Sequence, residues 1–187
     1  MDQLIDYSGE FNPRIKLQDF SKEVVIQLLE MQSRLYLAVD GFWYLAVMEK
    51  VDESTAMACD LWVWEKQQRY EQERLRKLLN IQGNSLQSLL KCIQFAPWAR
   101  NLEYDIDVKD NNLAVFTVSQ CLTLQSMEKE GKGRDNTFCK SVETKMFNMY
   151  VNSFNPDIKV TNLKMPPRKS KDDIFCQWEF KMIGSTD

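Results

Sequence analysis

Cys121, Cys139 and Cys176 are spread through the strand-rich C-terminal part of a chain that contains no histidine. Without imidazole there is no Ser-His-Asp triad, no Cys-His dyad and no HExxH zinc site. Thiol and carboxylate chemistry remain, or a pocket that binds without reacting. Cys139 opens a predicted helix, where the backbone dipole favours a thiolate, so it is the candidate nucleophile, with Glu143 as proton acceptor. If one strand end and the middle of another strand face that helix, the three sulfurs converge. Glu128, Glu130 or Glu143 would then supply a fourth ligand, and three thiolates with a carboxylate suit zinc. Against this, the cysteines lie 18 and 37 residues apart, without the short CxxC step of a readable zinc site. Free cysteines also pack as small hydrophobes, so an inert trio stands beside the functional one. Cys59 and Cys92, in the helical half, read as packing.

Asp40-Gly41-Phe42-Trp43-Tyr44 is the second constellation. A glycine inside a helix costs about 1 kcal/mol against alanine and suggests close approach of a backbone or a ligand. A carboxylate in so apolar a stretch needs a partner if buried. Asp40, Trp43 and Tyr44 are therefore candidate ligand-binding residues. The plain alternative is a helix-packing notch, with Asp40 bonded to Arg34, Tyr36 or a backbone group. A third constellation, Lys164 to Lys171, carries Arg168 as a candidate grip for a carboxylate or phosphate. Its alternative is a solvated hairpin tip, balanced by Asp172 and Asp173. Gly131-Lys132-Gly133 lacks the spacing of a phosphate loop.

The elements that must position these residues are legible in the periodicity. Asp19 or Ser21 caps a first helix, whose Val24, Leu28, Met31, Leu35, Val39, Phe42 and Ala46 form an apolar face at three- and four-residue steps. A second helix starts near Asp52, runs through Met57, Leu61, Trp64, Leu75 and Leu79, and ends at Asn80 to Gly83. A short third helix covers Leu86 to Ile93. Beyond Trp98 the period becomes two: Leu102, Tyr104, Ile106 and Val108 alternate with charged residues, and Leu113 to Val118 pairs back on them. Residues 122–130 and 139–154 read as helices. Ile158 to Met165 and Ile174 to Ile183 read as two final strands. The expected architecture is α+β: an N-terminal helical hairpin packed on a four-stranded antiparallel sheet, with two further helices between the strand pairs. Residues 1–187 form one domain, with a mainly helical half (1–97) and a sheet-containing half (98–187).

Composition bounds the function. The 187 residues are 44% hydrophobic and 27% charged, which suits a folded core, and the net charge of −3 carries no nucleic-acid footprint. The most apolar stretch, Leu35 to Met48, is too short for a membrane span and holds Asp40. The N-terminus lacks the pattern of a signal peptide, and five scattered cysteines make no disulfide framework, so a cytoplasmic location is expected.

Gly9-Glu10-Phe11-Asn12-Pro13, Asp40-Gly41-Phe42-Trp43-Tyr44-Leu45 and Pro166-Pro167-Arg168-Lys169 with Cys176-Gln177-Trp178-Glu179-Phe180 resemble a prokaryotic family of uncharacterised proteins, over nearly the whole chain. More distantly, the ordered Cys121, Cys139 and Cys176 resemble the cysteines of L-2-amino-thiazoline-4-carboxylic acid hydrolase-like proteins, which also end in a Cys-x-Phe/Trp-x-Phe strand. The element order is similar to that of the four-vinyl-reductase domain and the trafficking-protein-particle subunits. That resemblance implies a ligand-binding α+β fold, frequent dimers and, in sensory members, zinc held by cysteines and a carboxylate. The hydrolase-like pattern has an Asp three residues after the middle cysteine. This chain has Val142 there and Glu143 next, so the resemblance carries the fold further than the activity.

Two functions follow as expectations. One is a small-molecule-binding, sensory domain whose cysteine cluster holds a structural metal. The other is a thiol-dependent hydrolase of a small cyclic or amide C–N bond, with Cys139 and Glu143 as its catalytic pair. The missing histidine favours binding. The first helix is apolar on more than one face, and Trp62 and Trp64 add to it, so a homodimer built on these helices is expected.

Overall fold

The structure is a computed structural model that describes residues 3–184. Helix α1 (Lys22–Lys50) starts where the Ser21 side chain accepts the Val24 amide. Helix α2 (Glu53–Leu79) starts where Asp52 accepts the Thr55 amide at 2.7 Å. Only Val51 and Asp52 separate the two helices, so they must run antiparallel as a hairpin. Helix α2 stops at Asn80, whose left-handed backbone (φ 52°) is a conformation asparagine tolerates. Helix α3 (Leu86–Phe95) is capped by Ser85.

Strands β1 (Leu102–Asp110) and β2 (Leu113–Cys121) form a hairpin around Asn111 and Asn112. Helix α4 (Leu122–Glu130) follows β2 directly, with the Cys121 sulfur accepting the Leu124 amide. A single π-helical turn, Cys139–Glu143, leads into helix α5 (Thr144–Phe154). Strands β3 (Ile158–Lys164) and β4 (Cys176–Met182) complete a four-stranded antiparallel sheet of order β1-β2-β4-β3. The α+β architecture expected from the periodicity is the one observed, with α4 and α5 between the strand pairs. Helix α2 lies along α5, and α5 and α3 carry the contact onward to the sheet.

The sheet is apolar on one face only. Ile106 sits opposite Phe116, Phe116 opposite Trp178, and Ala114 opposite Phe180, whereas Asp105, Thr117 and Gln177 line up on the other face. Phe147 of α5 anchors the inner face, with its ring 4.5 Å from Trp178, 5.8 Å from Trp98 and 6.0 Å from Phe180. Leu86, Leu89 and Ile93 of α3 close the core from the other end. Side-chain burial of this kind is what holds an amphipathic helix of ten residues in place.

Two helix faces differ from the sequence reading. The apolar α1 stripe read from the periodicity points outward in its middle: Met31, Leu35, Val39, Phe42 and Ala46 are exposed, Phe42 by 69%. Periodicity identifies an apolar face but not which of two apolar faces turns inward, and α1 has both. On α2 the buried residues are Ala56, Asp60, Trp64, Gln68, Glu71 and Gln72, a mostly polar seam. That seam suits its neighbour, because Gln68 and Gln72 donate to the α5 carbonyls of Met146 (3.1 Å) and Tyr150 (2.8 Å). Gly41 marks no close approach either, since a Cβ there would meet nothing within 4 Å.

Candidate functional site

A cavity of about 130 Å³ lies between the helical hairpin and the inner face of the sheet. Asp40 enters it from α1, and Asp60, Trp64 and Gln68 from α2. Cys121 and Val118 enter from the end of β2, Cys139 and Glu143 from the π-helical turn, and Cys176 and Trp178 from β4. Met165 and Pro166 of the β3–β4 connection also line it, with rings from Trp98, Phe138, Phe147 and Phe175. Single π-helical turns recur at functional sites, and this one puts a thiol and a carboxyl on the same wall.

The carboxyls crowd one another. Asp60 is pushed up to about 7 by burial and then by the charges of Asp40 and Glu143, with the Trp64 indole opposing. Glu143 is pushed up to about 7 by burial and by Asp40. It keeps some exposed surface even so, because its side chain borders the cavity. Burial also raises Asp40, again opposed by the Trp64 indole. Among the described residues none of these three acids has an ion-pair partner.

The sulfurs are held as thiols. Cys121 rises to about 11 and Cys176 to about 12, in each case chiefly through burial. Cys176 accepts the Trp178 indole N–H at 3.3 Å, and Cys121 serves as the α4 cap. Cys139 is raised furthest, by burial and then by Glu143 and the other two sulfurs. The helix-start effect expected to favour its thiolate is outweighed by that low-polarity, acid-facing setting.

The predicted site residues therefore divide. Asp40, Cys121, Cys139, Glu143 and Cys176 meet at one cavity. Trp43 does not: it is 69% exposed on the outer side of α1. Tyr44 is buried behind the lining, its ring 5.5 Å from Phe138 and its hydroxyl without a hydrogen-bond partner among the described residues. The metal site expected from Cys121, Cys139, Cys176 and Glu128 is not formed, and no group of three or more Cys, Asp or Glu among the described residues is arranged to hold an ion. Glu128 is instead gripped by Arg168, Nε to Oε1 at 2.9 Å and Nη2 to Oε2 at 2.6 Å. Arg168 is thus committed to tying the β3–β4 connection to α4, and packs 4.1 Å over Phe175. It stands outside the cavity lining.

Sequence reasoning missed Asp60, Gln68 and Glu71. All three are buried, and Glu71, raised to about 7 by burial, accepts the Tyr150 hydroxyl at 3.5 Å. Their signal was present in the spacing, since 60, 64, 68, 71 and 72 follow helical steps; the polar character hid it.

The model of a family of unknown function (DUF6125) matches residues 18–182, so the chain belongs to that family. No curated protein and no solved structure is significantly similar to it. No helix among the described residues is long and apolar enough to cross a membrane.

Proposed function

We propose that the chain is a small-molecule-binding domain whose ligand occupies the cavity between the helical hairpin and the sheet. The observation that carries this reading is the convergence of acids, thiols and an amide from separate elements on one ring-lined cavity. Apolar walls with a few convergent polar groups are what small-ligand sites share. The size suits a compact molecule, because an apolar cavity of about 150 Å³ admits benzene. The resemblance to ligand-binding α+β domains points the same way. A thiol hydrolase would need Cys139 ionised, and its surroundings hold it protonated, so binding is placed ahead of catalysis. All five cysteines are unpaired, in keeping with the cytoplasmic location we propose.

The test is a ligand-observed NMR screen with fragments of about six to ten non-hydrogen atoms, the size class set by the cavity. Fragments should bind the native chain and lose binding to Leu37→Trp, which fills one wall of the cavity. If no fragment distinguishes the two proteins, the binding reading is wrong.

A second copy of the chain is the proposed cover for the outward stripe of α1. Met31, Leu35, Val39, Phe42 and Ala46 recur at three- and four-residue steps over about 22 Å of helix, the pattern by which two like helices interlock.

A further inference from the structure

We infer that the cavity is built for a compact organic cation: a primary amine, bound as its ammonium, on an apolar body about the size of a phenyl ring. This deepens the binding reading and rests on it. Three carboxyls, Asp40, Asp60 and Glu143, reach the cavity from three different elements, and among the described residues none meets a cation. The cation of the adjoining segment, Arg134, pairs with Glu130 at 3.1 Å and lies over the rings of Tyr44 and Phe138, outside the lining.

Gln68 supplies an independent sign. It is 5% exposed, lines the cavity, and donates its amide nitrogen to the Met146 carbonyl. That carbonyl only accepts, so the amide cannot be turned round, and Oε1 is the atom left over. Oε1 is buried without a donor among the described residues. Buried oxygens are almost always paired, so an unpaired acceptor on a side chain that lines the cavity calls for a donor from a ligand. An ammonium has three N–H donors and a positive charge, which answers the amide oxygen and the acids together. An anion would meet three carboxyls, and a neutral alcohol would leave most of the acceptors unanswered. The rings of Trp64, Trp98, Phe147 and Trp178 suit the apolar body, and their faces also favour a cation. Burial and mutual repulsion push Asp60 and Glu143 toward their neutral forms, and an incoming ammonium would displace those protons.

Three probes of one size and different charge test this by calorimetry at neutral pH: benzylamine, benzyl alcohol and benzoate. Benzylamine should bind about tenfold or more tighter than benzyl alcohol, as charge-assisted hydrogen bonds require, and benzoate not measurably. Asp60→Asn should bring the amine and the alcohol to within about threefold of each other, and Asp40→Asn should do the same if Asp60→Asn fails to fold. Equal binding of amine and alcohol to the native chain, or preference for benzoate, overturns the cation inference and leaves the binding reading standing. Binding of none of the three overturns both.

Discussion

Arg168 and Glu128 meet side by side, two parallel N–H···O contacts joining the connection before β4 to helix α4. Arginine makes such a fork and lysine does not. The pair is only partly exposed, and Arg168 draws Glu128 below the ordinary carboxylate range. Arg168→Lys should therefore cost about 1 kcal/mol in urea unfolding, and Arg168→Ala somewhat more because the packing on Phe175 goes too. Hydrogen exchange should quicken at the amides of Met165, which lines the cavity, and of Lys169. Unchanged stability and exchange in both variants would show the fork to be incidental.

Stability should depend on pH in an unusual direction. Asp60, Glu71 and Glu143 all hold protons in the folded chain up to about pH 7, whereas the unfolded chain gives them up near pH 4. Between those values the folded state binds more protons than the unfolded state. The sign of the linkage then makes unfolding easier as pH rises, by up to about 1.4 kcal/mol per pH unit for each retained proton. Urea midpoints should fall from pH 5 to pH 7.5. Asp60→Asn and Glu71→Gln should each flatten the slope, and a rising midpoint would contradict the buried-acid account.

Thiol reactivity should separate the cysteines by setting. Cys59 is exposed on α2, Cys92 is fully buried on α3, and Cys121, Cys139 and Cys176 are held as thiols at the cavity. With iodoacetamide at pH 8, mass spectrometry should find Cys59 modified first and the cavity trio slower by roughly tenfold or more, because the thiolate is the reacting form. Early modification of Cys139 would revive the nucleophile reading.

The exposed α1 stripe should decide association. Light scattering should give about twice 22.0 kDa for the native chain at micromolar concentration. Val39→Glu with Phe42→Glu should return it to 22.0 kDa without lowering the melting temperature of the monomer. Both residues are already exposed, so their replacement removes nothing from the core. A native chain that stays monomeric at all concentrations would leave the stripe without the proposed cover.

The strand pairing was legible because its signal is local: apolar and charged residues alternate through Leu102 to Val108, and burial follows that alternation at the start of β1. The helices were legible from their caps, such as Ser21 and Asp52, which need only a side chain and the next turn. The convergence of Cys121, Cys139 and Cys176 followed from their places at a strand end, a helix start and a strand. Which side of α1 turns inward was not legible, since both sides are apolar and the choice is made by Tyr44 and Ser33 finding partners far along the chain. Ser33, for instance, bonds the Pro97 carbonyl and the Asn101 amide. The fork between Arg168 and Glu128 spans forty residues, and no spacing rule announces it.

The π-helical turn acts as a phase shifter. An α-helix rotates about 100° per residue, so one extra residue in the ladder turns everything before it by that angle relative to everything after it. Phe138 and Cys139 lie at the front of the shift, Phe147 and Tyr150 behind it, and all four line the same cavity. Removing one residue from the turn, such as the exposed Lys140, would restore a regular helix while swinging the first pair away from the second. The contents of this cavity are thus set by the place of an insertion as much as by the identity of any side chain. A relative with every lining residue intact but a regular helix here would have a differently composed wall.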